Sequence, residues 1–276
     1  MKRLAVTGLL VLLALPQQSR AAEDSVLWLL DNLESIGGHE VRVEGDPRII
    51  ETPHGKAIEF DGIDDGIFLD VHPLAGKTEF TAEVIFKPYA DGAPEQRFFH
   101  MQEDGSESRV MFETRLPGDG EWFLDTFIKS GEQGTTLYAS DHLHDTDAWQ
   151  HAAIVVDGDS FRHYVNGRLE LEETIGFEAQ GPGKTSLGVR LNKVHWFRGA
   201  ISKARFTPRA LDPGEFDRLA GPEVTIPGTE SRSLYSKIVG QEYSLKISLP
   251  AGHGESDQRY PVVYLLDAQW DFPLIY

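Results

Sequence analysis

The chain contains no cysteine among its 276 residues. No disulfide can staple it, so its domains must be held by packing alone. Basic residues are scarce: 26 Lys and Arg stand against 44 Asp and Glu, a formal charge of -18. Nucleic-acid binding needs clustered cations, and attraction to anionic membrane surfaces needs the same sign, so the charge argues against both partner classes. The acidic balance reads instead as solubility and self-repulsion. Long helical periods are missing. So is any G-x-S-x-G sequence. Gly158-Asp-Ser160-Phe lacks the second glycine, and Gly254-Glu-Ser256-Asp precedes an apolar strand where a nucleophile would follow one. Both serines read as turn residues, and without a nucleophile and its base acyl transfer has no route through these residues.

What is present is β-structure. Residues 149–167 read WQHAAIVVDGDSFRHYVNG. Asp157-Gly158 and Asn166-Gly167 take positive φ at little cost, so each marks a tight antiparallel connection. Between them Phe161, His163 and Val165 share one face and Arg162 and Tyr164 the other, which predicts one buried and one solvated face. Similar short runs recur from Val26 to Ala210: Val41/Val43, Ala57–Phe60, Ile67–Val71, Phe80–Phe86, Phe98–Met101, Val110–Thr114 and Trp122–Ile128, then Thr135–Tyr138, His151–Val156, Phe161–Val165, Leu169–Glu173, Ser186–Leu191 and Phe197–Phe206. Many short strands separated by Gly, Asp, Asn and Pro clusters indicate a mainly β fold, a sandwich or barrel of antiparallel sheets.

The ends read differently. Residues 1–22 have Lys2 and Arg3, an apolar stretch from Leu4 to Leu15 and small residues near Ala21 and Ala22. That is the pattern of a cleavable signal peptide, and it predicts a secreted or periplasmic protein with no membrane insertion after cleavage. Asp212-Pro213-Gly214-Glu215 is a helix start with a capping box, and Gly221-Pro222 a stop. Residues 23–220 therefore read as one domain and 221–231 as a linker. In 232–276, Tyr243, Leu245, Ile247 and Leu249 alternate with polar residues, and Pro261–Leu266 is apolar on both faces. A strand of the second kind needs neighbours and covering helices that ~45 residues cannot supply, so this segment reads as the opening of a larger α/β domain.

Four stretches carry a family resemblance. Ala57–Gly62 through Ile67 resembles "ALxFDGxxDYV", Phe80–Pro88 resembles "FTxExWVKP", Trp149–Gly167 resembles "WHHVAxTxDGxxxRLYVNG" and Leu187–Ala210 resembles "LGxxxxxxxFxGxIDEVRIYNRAL". Together they are similar to the LamG-like, concanavalin A-like family, which implies a two-sheet jelly roll over about residues 26–220. Tyr243–Pro250 and Arg259–Asp267 resemble "EYxVxVYLP" and "RYPVLYLLDG" of an esterase family with enterochelin esterase-like, S-formylglutathione hydrolase-like and mycolyltransferase-like members. Where that family has Gly after the Asp, this chain has Ala268. The resemblance implies the start of an α/β hydrolase whose Ser, Asp or Glu, and His lie elsewhere, with the backbone N–H of Gln269 contributing to an oxyanion hole.

Several side chains are candidates for binding. Trp122, Tyr138 and Trp196 sit near loops and suit stacking on sugar rings, whereas Trp28 and Trp149 suit the core. Asp61, Asp64 and Asp65 share one hairpin loop and offer hard oxygens to calcium, the alternative being ordinary Asp-Gly turn chemistry. His142 and His144, flanked by Asp141, Asp145 and Asp147, offer nitrogen and oxygen to zinc, the alternative being a solvated loop. His151 reads as a strand residue with no ligand. Three functions remain open: a carbohydrate- or envelope-binding module attached to an esterase, a secreted carboxylic ester hydrolase of which this is a part, and a structural or adhesive domain.

Overall fold

In a computed structural model of the chain, residues 25–52, 55–217, 229–236 and 241–248 are described, with the backbone alone for 229–236 and 241–246. Two antiparallel sheets, each of eight strands, face one another. Strands are numbered in chain order. The first sheet runs β16 (Arg168–Thr174), β15 (Ser160–Val165), β14 (Gln150–Asp157), β8 (Phe80–Pro88), β18 (Arg198–Thr207), β6 (Gly55–Asp61) and β5 (Arg48–Thr52), with β1 (Val26–Leu29) also on β18. The second runs β12 (Gln133–Tyr138), β11 (Glu121–Ser130), β10 (Arg109–Gly118), β9 (Glu95–Glu103), β17 (Gly183–Leu187), β7 (Gly66–Leu69) and β4 (Arg42–Glu44), with β13 (His144–Asp145) also on β11. Sequence neighbours pair in β14–β15–β16 and in β9–β10–β11–β12. The central partners β8 and β18 come from distant parts of the chain, so the sandwich closes only through long-range pairing. A small hairpin joins β2 (Ser35–Ile36) and β3 (His39–Glu40).

The predicted turns form as expected. Gly158 (φ +58°) opens the two-residue loop between Asp157 and Ser160, and Asn166 and Gly167 (φ +50° and +78°) make the type I′ turn between Val165 and Arg168. The predicted inward face forms: Phe161, His163 and Val165 are buried. The opposite face is not simply solvated, because Tyr164 is covered by Leu211 and Phe216. Aromatic rings supply much of the interior. Phe86 stacks on Phe98 at 4.1 Å between centroids, meets Trp122 edge-on at 5.2 Å, and Trp28 meets Phe206 edge-on at 4.9 Å. Offset and edge contacts of this kind add to the area buried. Gly188 (φ +78°) lies so close to Phe60 that a Cβ there would stand 2.2 Å from the ring, so this close approach requires glycine.

Two sequence expectations change. The helix expected after Asp212 is a single 3-10 turn, Pro213–Glu215, although its capping box is present. Tertiary packing explains the difference: Leu211 and Phe216 must both reach the outer face of the first sheet, which pulls the chain flat. β1, β2, β3 and β5 were not separately legible, because they are short edge pieces with little alternation. Among the described residues there is no α-helix, and no helix long and apolar enough to cross a membrane.

The chain divides into two compact units between residues 219 and 220. In the second, β19 (Thr229–Ser236) and β20 (Gln241–Ser248) form an antiparallel hairpin. The expected strand at Tyr243–Leu249 overlaps β20. Gln269, the apolar Pro261–Leu266 and the 1–22 segment lie outside the described residues.

Candidate functional site

The outer face of the second sheet carries the most concentrated polar chemistry. One row crosses four strands in register: Arg97 on β9, Glu113 on β10, Asp125 on β11 and Tyr138 on β12. A β-bulge in β9 sets this row. Phe99 pairs with Phe112 but Arg97 pairs with Glu113, so Phe98 is the extra residue. Phe98 and Phe99 both enter the core, and Arg97 is turned outward beside Glu113. Bulges re-aim side chains in this way.

The row is a dense ion network. Arg97 pairs with Glu113 at 2.9 Å and with Glu95. Arg115 reaches Glu113 at 3.1 Å, Asp125 at 2.7 Å and Glu95 at 2.8 Å. Glu113 and Asp125 are each only 3% exposed at the side chain. Burial, and then the charge of Asp125, push the Glu113 carboxyl up to about 7. Asp125 is also raised, chiefly by burial against the opposing bonds from Arg115. His100, in the next row, is pushed down to about 3 by burial and then by Arg190, Arg109 and Arg97. It is therefore a neutral ring, and because its Nδ1 accepts the Leu191 N–H at 3.0 Å, its proton is on Nε2.

Four polar atoms on this face are buried without a protein partner: Arg97 Nε, Arg109 Nε, His100 Nε2 and Asp125 Oδ1. Three are donors and one is an acceptor. Arg97, Arg109 and Asp125 line a cleft of about 220 Å³ together with Met111, Phe127 and Arg190. Tyr138 stands at the edge, 52% exposed, meeting Phe123 edge-on at 4.8 Å with the Arg115 guanidinium 5.7 Å from its ring.

The sequence-stated candidates distribute unevenly around this cleft. Tyr138 does not line it but stands beside it, paired with Asp125 and close to Arg115. Trp122 is fully buried in the core, because its strand position points inward, and it offers no face to a sugar. Trp196 is half-buried over Gly66, away from the row. Trp28 fills the core, while Trp149 is half-buried. His151 is bound within the fold, 3.0 Å from Glu83. The signal for the row was available as alternating charge in Arg109–Arg115 and Glu121–Lys129, but only pairing shows that these charges face one another.

Asp61, Asp64 and Asp65 do converge, and among the described residues they alone bring three candidate ligand atoms within 4.8 Å of one another. They line a cleft of about 270 Å³ with Arg48 and Arg198. Their oxygens serve the hairpin. Asp65 accepts the N–H groups of Asp46 at 2.7 Å and Asp61 at 2.8 Å, and Asp61 Oδ1 accepts those of Ile63 and Asp64 at 2.8 and 3.2 Å. Asp61 is held below the usual carboxylate range: burial alone would raise it, but these backbone bonds outweigh burial. Asp65 is raised by burial. The donor type fits calcium, and the bonds already made are those of a closed Asp turn.

No curated protein matches the chain. Solved structures do. Domain 4 of AbnA, a GH43 extracellular arabinanase from Geobacillus stearothermophilus solved in complex with arabinotriose, superposes with a TM-score of 0.55 at 20% identity, covering 70% of this chain and 97% of that one. The binding domain of Paraclostridial Mosquitocidal Protein 1 gives 0.54 at 15% identity, covering 86% and 70%. The binding domain of botulinum neurotoxin serotype D gives 0.52 at 13% identity, covering 70% of this chain and half of that one. At these identities the likeness is one of fold. The family model of the concanavalin A-like lectin/glucanases superfamily, Laminin_G_3, matches residues 61–216. That span holds the whole Arg97–Tyr138 row and most of both sheets, and the chain belongs to this superfamily.

Proposed function

We propose that the chain is a carbohydrate-binding module whose site is the outer face of β9–β12. One observation carries this: Arg97, Glu113 and Asp125 line a cleft in which the Arg97 and Arg109 Nε donors and the Asp125 Oδ1 acceptor are buried without partners, and Tyr138 is the next residue in register. A phosphate would satisfy only donors. A polyhydroxylated ring presents hydroxyls that donate and accept, and its C–H face suits the exposed Tyr138 ring. Glu113 and Asp125 are locked to Arg97 and Arg115, so their role here is to hold the guanidinium donors in place. The arabinotriose bound by domain 4 of AbnA supports the ligand class. A glycan array followed by calorimetry tests it: the wild type binds a set of oligosaccharides, and Tyr138→Ala weakens them at least tenfold. An array with no bound glycan, or binding indifferent to Tyr138→Ala, overturns the site.

Three further parts of this reading rest on sequence. The 1–22 segment directs export, giving a secreted or periplasmic protein, and expression with a cleavage-site assay tests that. Residues 232–276 open an esterase-like domain whose nucleophile lies elsewhere, supported by Tyr243–Pro250 and Arg259–Asp267. The purified chain alone then turns over no p-nitrophenyl acyl ester. Calcium at the Asp61 loop would use the exposed Asp64 and spare lone pairs of Asp61. A rise in melting temperature with calcium, lost in Asp64→Asn, tests it.

A further inference from the structure

A second polar group interrupts the core where β11, β13, β15 and β16 meet. His163 on β15 is fully buried. Its Nδ1 is 2.9 Å from Thr126 Oγ1 on the facing sheet, and its Nε2 has no hydrogen-bond partner. That Nε2 stands 3.6 Å from Glu170 Oε2, a carboxylate oxygen also buried without a partner. The other oxygen, Oε1, is 2.6 Å from His144 Nε2. His142, two residues earlier, has a buried Nδ1 with no partner.

Glu170 faces inward for an identifiable reason. His163 pairs with Leu171 and Tyr164 with Leu169, so Glu170 is the extra residue of a β-bulge in β16. The bulge puts Glu170 inside, 1% exposed at its side chain, while neighbouring Leu169 is 44% exposed. A buried carboxylate beside an exposed leucine contradicts ordinary patterning, and such contradictions concentrate at functional sites.

We propose that His163, Glu170, His144 and His142 form a zinc site. The donor set is imidazole nitrogen and carboxylate oxygen, which zinc prefers. Two ligand atoms on one tetrahedral zinc sit about 3.4 Å apart at ordinary Zn–N and Zn–O lengths, close to the separation of His163 Nε2 and Glu170 Oε2. With Nδ1–H donated to Thr126, His163 turns its Nε2 lone pair toward the site, the usual device for fixing a ligand tautomer.

The strand half of the site is formed and the loop half is open. The four ligand atoms are spread more widely than those of the Asp61 trio. His144 and His142 are partly exposed and would close inward, which also leaves an entry path. The ion takes the place of the proton between His144 Nε2 and Glu170 Oε1. His144 ligates through Nε2 as neutral imidazole with its single ring proton on Nδ1, the tautomer changing by proton exchange with solvent. The flanking Asp141, Asp145 and Asp147 are all exposed, and the carboxylate comes from β16.

The test uses the whole chain, stripped with chelator and titrated with zinc sulfate. One equivalent binds, the melting temperature rises, and cobalt in place of zinc shows the visible absorption of a four-coordinate site. His144→Ala and His142→Ala, both at partly exposed positions, keep the fold by circular dichroism and weaken zinc about 100-fold. Asp64→Asn leaves zinc binding unchanged. Failure to retain one equivalent of zinc overturns the site. So does zinc binding that survives His144→Ala, or that Asp64→Asn abolishes.

Discussion

The two outer faces of the sandwich carry matching ion networks that end differently. On the first sheet Glu83, 1% exposed at its side chain, accepts from His151 at 3.0 Å, Arg205 at 2.6 Å and the Asp217 N–H at 2.6 Å. Arg205 also donates to the Glu215 carbonyl at 2.8 Å. The segment around Leu211–Asp217 lies over this face, with Phe216 against His151 and Tyr164. Burial alone would raise the Glu83 carboxyl, but the bonds from His151 and Arg205 outweigh it and hold it low. No side-chain atom of Glu83, His151 or Arg205 is among those buried without a partner. On the second sheet Glu113 sits in an equally buried network, yet it is raised to about 7 and atoms around it remain unpaired. Its partners are the Arg97 and Arg115 side chains of the same sheet. A network closed by the chain's own segment is structural, and one left unfinished is where an external ligand can supply the missing bonds.

If that contrast is right, the closed face responds most strongly to damage. Glu83→Leu strands His151, Arg205 and the Asp217 N–H together, and loss of one partner of a buried network costs about 3–5 kcal/mol. Urea unfolding should show it, with glycan affinity unchanged. Phe216→Ala opens the cover over His151 and Tyr164, at a cost of about 3 kcal/mol for a buried aromatic. Equal losses from the corresponding changes on the open face would erase the distinction.

Much of the closed half could be read in advance. The Asp-Gly and Asn-Gly turns fix β14–β16, and the alternation in Phe161–Val165 gives the correct inward face. Phe80–Phe86 and Phe197–Phe206 are apolar enough to announce central strands. The site was far less legible. Arg97 lies 16 residues before Glu113 and Asp125 12 residues after it, and they meet only through register, which a bulge at Phe98 shifts by one position. Glu170 is worse: its burial depends on a bulge that reverses the pattern around it. Trp122 was misplaced for the same reason, since nearness to a turn says nothing about which face a strand residue occupies. The histidine pair was visible as a ligand-like spacing, but its carboxylate partner could not be, being 26 residues further on.

pH separates the faces more finely. Glu113 is raised in the folded state to about 7 from an ordinary 4.5, so between those values the native protein binds more protons than the unfolded chain. Its contribution to stability is full below about pH 4.5 and falls as pH rises toward 7. Glu113→Gln should flatten that slope and change stability at pH 7 by about 1 kcal/mol or less. His163 and His100 act in the opposite sense. Both are lowered to about 3, so the unfolded chain takes up protons first and stability is lost as pH falls from 6.5 toward 3. Urea midpoints across pH 3–8 for wild type and Glu113→Gln distinguish the two terms, because the variant removes only the upper one.

The smallest stability change should accompany the largest change in binding. Tyr138 is the open face's counterpart to Phe216: an aromatic beside an ion network, but 52% exposed where Phe216 is 5%. About half of its surface stays in water on folding, so Tyr138→Ala should cost about 1 kcal/mol, mainly the edge contact with Phe123 and the Arg115 interaction. A ligand ring resting on Tyr138 would bury that surface only in the complex, so the same change should remove at least tenfold in affinity. Phe216→Ala should show the reverse, a large shift in urea midpoint with binding intact wherever the protein is folded. If Tyr138→Ala instead destabilised as much as Phe216→Ala and left glycan binding alone, the second face would be as structural as the first, and its unpaired atoms would need another explanation.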